Sequence, residues 1–189
     1  PAPTQRTNEP HPSLPQNPDT NTIDYTPDPS HSLPISPSRH EIQQHIISLY
    51  CGSASEDDMR VYSEKAIYDD PFSYCDTRYK IAGQWYGIPK LFAKSETLAT
   101  EVTASTEHEL VWKQRQRYTC RGVRAAKMED SLVSLRLEDV GEGDGGGEKV
   151  VYHKDMWSEK DYDHEGFGAW MKKVNGDKLT GITQPPDSL

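Results

Sequence analysis

His153, Asp155 and Trp157 alternate in the stretch Val150-Val-Tyr-His-Lys-Asp-Met-Trp157. Successive strand side chains point to opposite faces, so in a β-strand these three share one face and Tyr152, Lys154 and Met156 share the other. A histidine titrates near neutral pH, and an aspartate buried beside aromatic groups has its pKa raised, so the pair has the residue types for moving protons. Residues two apart on a strand are separated by roughly 6.5–7 Å, too far for a direct relay but well spaced to bracket a small molecule or a water. Asp70, in Tyr68-Asp-Asp-Pro71, is a third candidate. Each has a plainer role: His153 and Asp155 as satisfied polar groups beside Tyr and Trp, and Asp70 as the Asp-Pro step that ends a strand.

The elements that must position these residues follow from periodicity. Ile42, Ile46, Leu49 and Tyr50 recur at helical spacing before Gly52, and Ser55 caps a second short helix through Glu56, Asp57 and Asp58. The run Ala66–Phe72 reads as a short strand stopped by Pro71, with Ala66, Tyr68 and Asp70 facing one way. The segment 73–87 reads as a polar, aromatic connection, and Ile88, Leu91, Phe92 and Leu98 form a stripe that predicts a third helix over 88–102. Leu110, Trp112, Gln114, Gln116 and Tyr118 alternate with Val111, Lys113, Arg115 and Arg117 in a long strand. A second strand follows with Val133, Leu135 and Leu137, and the run Gly141–Glu148 joins it to the His153 strand as a mobile loop. A polar exit over 158–165 leads to a short final helix around 166–174, stopped by Pro185 and Pro186. Helices segregated from a mostly antiparallel sheet make the class α+β.

Ten of the 14 prolines fall within residues 1–37, a Pro/Ser/Thr/Asn-rich segment too poor in apolar residues to offset its ordering entropy, so it is expected to be disordered. Residues 38–184 are expected to form one domain and residues 185–189 a tail. A net charge of -9 argues against nucleic acid or anionic membrane as partner. No apolar run reaches the roughly 18 residues a membrane span needs. Three scattered cysteines, Cys51, Cys75 and Cys120, suit free thiols in a reducing compartment, so a cytoplasmic or also nuclear location is expected. A chain beginning at Pro1 is what loss of an initiator Met would leave, as would trimming of a precursor.

The stretch 61–72 followed by Gly83-Gln-Trp-Tyr-Gly-Ile-Pro-Lys-Leu-Phe92, together with the Val150-Val-x-His-x-Asp155 strand, resembles the nuclear-transport-factor-2-like superfamily, which includes SnoaL-like polyketide cyclases and ketosteroid isomerases. The resemblance covers most of residues 40–160. It implies a curved antiparallel sheet wrapped around helices, forming a cone with an internal pocket (a cystatin-like α+β roll). It places Asp70 where the isomerase branch has its general base. By register the oxyanion-binding tyrosine of that branch falls at Ile46 and its partner acid near Val133, which disfavours steroid isomerisation because oxyanion stabilisation is commonly the largest catalytic contribution. Tyr50, one turn beyond Ile46, is the available substitute.

Two readings follow. One is a cofactor-independent acid–base enzyme, an isomerase, cyclase or dehydratase acting on a small hydrophobic, carbonyl-bearing or polyketide-like compound. Its proton carriers are Asp70, His153 and Asp155, and Tyr50, Tyr68, Trp85, Trp112, Gln114, Gln116, Tyr118, Val133, Leu135 and Trp157 line its pocket. Gln114 and Gln116, polar amides on an apolar face, require partners that a ligand or water would supply. The other is a non-catalytic domain that binds a ligand or a protein. No metal-ligand spacing is present, so no metal is expected. The basic face Lys113, Arg115, Arg117 and Arg124 reads as solvated or as the surface of a homodimer paired through the sheet, as the resemblance implies.

Overall fold

The computed structural model describes residues 8–17, 19–122, 126–140, 146–157 and 166–188. Helix α1 (Pro37–Tyr50) starts where the Ser36 hydroxyl accepts from the Arg39 amide and Pro37 supplies a helical φ, and it stops ahead of Gly52, whose φ of +84° suits only glycine well. Helix α2 (Glu56–Met59) is capped by Ser55, with three acids in its first turn. Strand β1 (Tyr62–Asp69) and the two-residue β2 (Tyr74–Cys75) precede α3 (Arg78–Trp85) and α4 (Ile88–Leu91). Strands β3 (Phe92–Ser105), β4 (Glu109–Cys120), β5 (Ala126–Val140) and β6 (Gly147–Trp157) follow, and α5 (Gly166–Thr183) closes the order.

The six strands form one sheet in the order β2-β1-β6-β5-β4-β3. The chain is α+β, but the expected antiparallel cone is not what forms. β1 runs parallel to β6, so the sheet is mixed, and β2 and β3 end it as unpaired edges, so it is neither closed nor strongly curled. The reason for the parallel pair is that the first strand docks against the last, with Tyr68 opposite His153 and Asp69 opposite Lys154.

Two local expectations are corrected. The helix predicted over 88–102 lasts only through Leu91, and Phe92–Ser105 pairs with β4 along its length. β-branched Thr97, Thr100, Val102 and Thr103 favour the pleated surface, while Leu91 and Leu98 of the supposed stripe are 60% and 45% exposed. The connection 73–87 in fact contains β2 and α3, whose start is set by the Thr77 side chain accepting from the Lys80 amide. The final helix is longer than expected and reaches Thr183. The Gly-rich run at 141–145, Arg124 and the polar exit 158–165 lie outside the described residues.

One face of the sheet carries the main core: Ile46, Leu49, Met59, Tyr62, Ile81, Trp85, Trp112, Val133, Leu135 and Leu137, all at 2% exposure or less. Each fully buried large apolar side chain contributes roughly 1.5–3 kcal/mol. α3 lies against α5 so closely that a Cβ on Gly83 would fall 2.8 Å from Thr180 Cα. On the opposite face Tyr25 packs with Val111, Leu132 and Met156, and Glu9 forms a 2.6 Å ion pair with Lys154. The described part of residues 8–35 thus holds little regular structure, only the Gln16–Ile23 bridge and a 3-10 turn at Pro29–His31, yet it is anchored on the sheet face where a homodimer contact was expected. Lys113 pairs with Glu101, Arg115 with Asp130 and Arg117 with Glu96. The three cysteines are free. Among the described residues no helix is long and apolar enough to cross a membrane.

Candidate active site

The period-two register of β6 turns His153 and Asp155 towards the helical side of the sheet, at 0% and 2% exposure. Pairing with β5 sets Leu135 opposite His153 and Val133 opposite Asp155. From the end of α1, Tyr50 donates a 2.6 Å hydrogen bond to Asp155 Oδ2 and lies 3.3 Å from His153 Nε2. On the far side of the imidazole, the Tyr62 hydroxyl of β1 lies 2.7 Å from Nδ1. His153 and Asp155 are therefore joined through Tyr50, not directly, as the strand spacing requires.

A cavity of about 310 Å³ opens beside this network. Asp155, Tyr50, Tyr68, Asp70, Trp85, Gln116, Tyr118 and Trp157 line it, with Phe72, Gln84, Cys120, Lys127 and Glu129. Of the residues expected there, Trp112, Gln114, Val133 and Leu135 sit instead in the core behind the wall, and His153 is also set back from it. The two glutamines need no ligand. Trp112 Nε1 donates to Gln114 Oε1, Gln114 Nε2 donates to Gln116 Oε1, and Gln116 Nε2 donates to the Tyr50 carbonyl and Ser95 Oγ. They form a ladder that fixes the C-terminus of α1, and so Tyr50, against β4.

Asp70 is held differently from Asp155. Tyr68 Oη donates to its Oδ2 at 2.9 Å, and the Phe72 and Ser73 amides donate to Oδ1 at 2.7 and 2.6 Å. Every one of these bonds is given to it, the arrangement an ionised carboxylate accepts. The Asp-Pro turn role and a place on the cavity wall are thus both met by one residue. Asp155 has one donor at full hydrogen-bond length, Tyr50, with weaker pulls from Ser131 and Trp157, and its buried Oδ1 has no hydrogen-bond partner among the described residues.

Burial is the main reason the Asp155 carboxyl is pushed up to about 7; the Tyr50 hydrogen bond opposes it, the negative charge of Asp70 adds to it, and weaker hydrogen-bonding pulls from Ser131 and Trp157 also oppose it. Burial also pushes His153 down to about 3, so its ring is neutral at any ordinary pH. Tyr50, Tyr62 and Tyr68 are driven well above the usual phenol range, first by burial and then by the neighbouring carboxylates. Two carboxyl groups thus line one cavity in different settings, Asp70 accepting three hydrogen bonds and Asp155 held at full length by Tyr50 alone. Among the described residues no group of three or more His, Cys, Asp or Glu is placed to hold a metal.

Tyr62 is the contributor that sequence reasoning missed. A register irregularity between Tyr62 and Ile67 interrupts the alternation shared by Ala66, Tyr68 and Asp70, and Glu64 between them is exposed, so parity alone does not lead to it. Ser73 and Gln84, linked by a 2.9 Å hydrogen bond behind Asp70, were hidden because 73–87 read as a connection.

No protein-family model matches the sequence, and no curated protein matches it. Solved structures do. A protein with a ketosteroid isomerase-like fold from Catenulispora acidiphila, in complex with trimethylamine, aligns with a TM-score of 0.52 at 13% identity, covering 66% of this chain and 88% of that one. An NTF2-like protein from Anabaena variabilis gives 0.54 at 10% identity over 65% and 87%. A candidate scytalone dehydratase from Novosphingobium aromaticivorans gives 0.51 at 12% identity over 68% and 87%. At these identities the likeness is one of architecture alone: the fold is similar to that of these ketosteroid isomerase-like and NTF2-like structures.

Proposed function

We propose that the cavity binds a small, largely apolar molecule bearing a carbonyl or an enolisable group and shifts a proton on it, as in an isomerisation, cyclisation or dehydration. The observation that carries this reading is Asp155: a buried residue of the cavity lining, with Oδ2 held by Tyr50 and with no hydrogen-bond donor to Oδ1 among the described residues. Unpaired buried carboxylate oxygens are costly, and a group that retains its proton to about neutral pH can give it to a developing oxyanion. Asp70, on the same cavity, is the matching base. The tyrosine and acid that the isomerase-like register placed at Ile46 and Val133 have substitutes one helical turn on, at Tyr50, and directly across the strand pair, at Asp155. Such proton transfers need no cofactor, and the likeness to isomerase-like and dehydratase-like structures supports the same class of chemistry.

The second reading, a non-catalytic ligand-binding domain, is favoured by Asp70 itself, whose three internal hydrogen bonds leave it occupied. Incubating the full chain in D₂O with a panel of aryl and cyclic ketones separates the two. The enzyme reading expects deuterium at the α-carbon of at least one ketone, with Asp155→Asn and Asp70→Asn each slowing exchange by about 10²–10⁴-fold. Ketones that bind without exchanging in the wild type would leave the binding-domain reading standing.

A further inference from the structure

Three hydroxyl–imidazole–carboxylate contacts run in series through the core: Tyr62 Oη to His153 Nδ1 at 2.7 Å, His153 Nε2 to Tyr50 Oη at 3.3 Å, and Tyr50 Oη to Asp155 Oδ2 at 2.6 Å. All four residues are at 3% exposure or less, so no bulk water competes for these positions. The directions are set by counting protons. Ionised, or carrying its proton on Oδ1, the Asp155 carboxyl accepts at Oδ2, so Tyr50 donates to it, and the Tyr50 oxygen then receives from His153. A neutral imidazole has one N–H, so if Nε2 donates, Nδ1 is bare and takes the Tyr62 proton.

We infer that His153 is a positioning residue: held in its Nε2–H tautomer by Tyr62, it fills the acceptor site of the Tyr50 hydroxyl, keeps that hydroxyl donating to Asp155 Oδ2, and so fixes the orientation of the carboxyl in the cavity wall. This rests on the proton-transfer reading for its functional meaning, but not for its geometry. His153 itself never reaches the ligand, since it stands behind the cavity wall. A donated hydrogen bond polarises the hydroxyl that receives it and strengthens that hydroxyl's own donation, so the link lowers the Asp155 titration. The other titratable groups that bear on Asp155 are Tyr62, Tyr68 and Asp70 on the β1 side and Tyr118 on β4, in addition to Tyr50 on α1. The tyrosines stay neutral near pH 7 because burial raises them, and the same cavity is also lined by the acids Asp70 and Glu129 and by Lys127.

The test needs no ligand. The full chain is labelled with ¹³C at aspartate carboxyls, the Asp155 signal is identified by its loss in Asp155→Asn, and its titration is followed in variants. His153→Phe should raise the Asp155 midpoint by about 0.5–1 pH unit, three- to tenfold in proton affinity. His153→Gln, which can both donate to Tyr50 and accept from Tyr62, should restore the wild-type midpoint. Tyr62→Phe, nearly isosteric and expected to fold even where His153→Phe does not, should raise the midpoint by a smaller step. The ¹⁵N shifts of His153 should show bare Nδ1 and protonated Nε2 from pH 5 to 9. An Nδ1–H tautomer, or folded His153→Phe and Tyr62→Phe chains whose Asp155 titrates as in the wild type, would overturn the assignment. Absence of ketone exchange with the titration shifts intact would instead count against the enzyme reading alone.

Discussion

Replacing Asp155 by Asn should change how folding stability depends on pH, in a way set by the two oppositely perturbed groups of β6. The Asp155 carboxyl lies at about 7 in the folded chain against an ordinary 3.8, so between those values the folded state keeps a proton that the unfolded state has released. Its contribution to stability is complete below about pH 4 and is lost as pH rises through 7, at roughly 1.4 kcal/mol per unit and about 4 kcal/mol in all. His153 acts in the reverse sense. Its pKa is about 3 in the fold against an ordinary 6.5, so its contribution is complete above pH 6.5 and is lost as pH falls through 3. That loss reaches about 5 kcal/mol. Between about pH 4 and 6.5 the two slopes oppose one another, and their joint effect on the wild type is close to flat. The Asp155→Asn substitution removes one of them. Relative to the wild type, the variant should gain about 4 kcal/mol between pH 4 and 8, and all other titrating groups cancel in the difference. Urea unfolding at half-unit pH steps, with the slope against denaturant checked for constancy, measures this directly. His153→Gln should trend the opposite way, gaining on the wild type as pH falls from 6.5. A stability difference between Asp155→Asn and the wild type that stays constant across the range would refute the argument that burial controls this carboxyl.

Gly83→Ala should cost about 1–3 kcal/mol in urea unfolding, because its Cβ would meet the Thr180 backbone and push α5 from α3; an unchanged midpoint would show that the helices do not approach this closely. Glu9→Gln should lower stability at pH 7 by about 1–3 kcal/mol, since it removes the charge facing a Lys154 side chain only 8% exposed. Deleting residues 1–28 should go further, uncovering Val111, Leu132 and Met156 and producing concentration-dependent association in sedimentation. If both altered chains match the wild type, the N-terminal segment is not held on the sheet in solution.

The parts of the fold that could be read from sequence were those with one dominant period. Leu110 to Tyr118 and Val150 to Trp157 alternate cleanly, and both stretches are strands in the structure. β3 was misread because Ile88, Leu91, Phe92 and Leu98 happen to fall at helical spacing, although its β-branched residues and pairing with β4 decide the outcome. The sheet's mixed, open form depends on which strand the first one joins, a choice made by long-range packing that no local window contains. At the site, strand parity put His153 and Asp155 on one face but could not say that one lines a cavity while the other lies behind it. Nor could it show that Gln114 and Gln116 satisfy each other along one strand. Those distinctions arise from Tyr50 and Tyr62, brought in by separate elements.

The central claim is that Asp155 is a buried acid in the wall of a ligand-sized cavity, and the most direct measurement is the ¹³C titration of its carboxyl in the unmodified chain. The account predicts a midpoint near 7. A midpoint near the ordinary 3.8, or a carboxylate signal unchanged from pH 4.5 to 8, would contradict it.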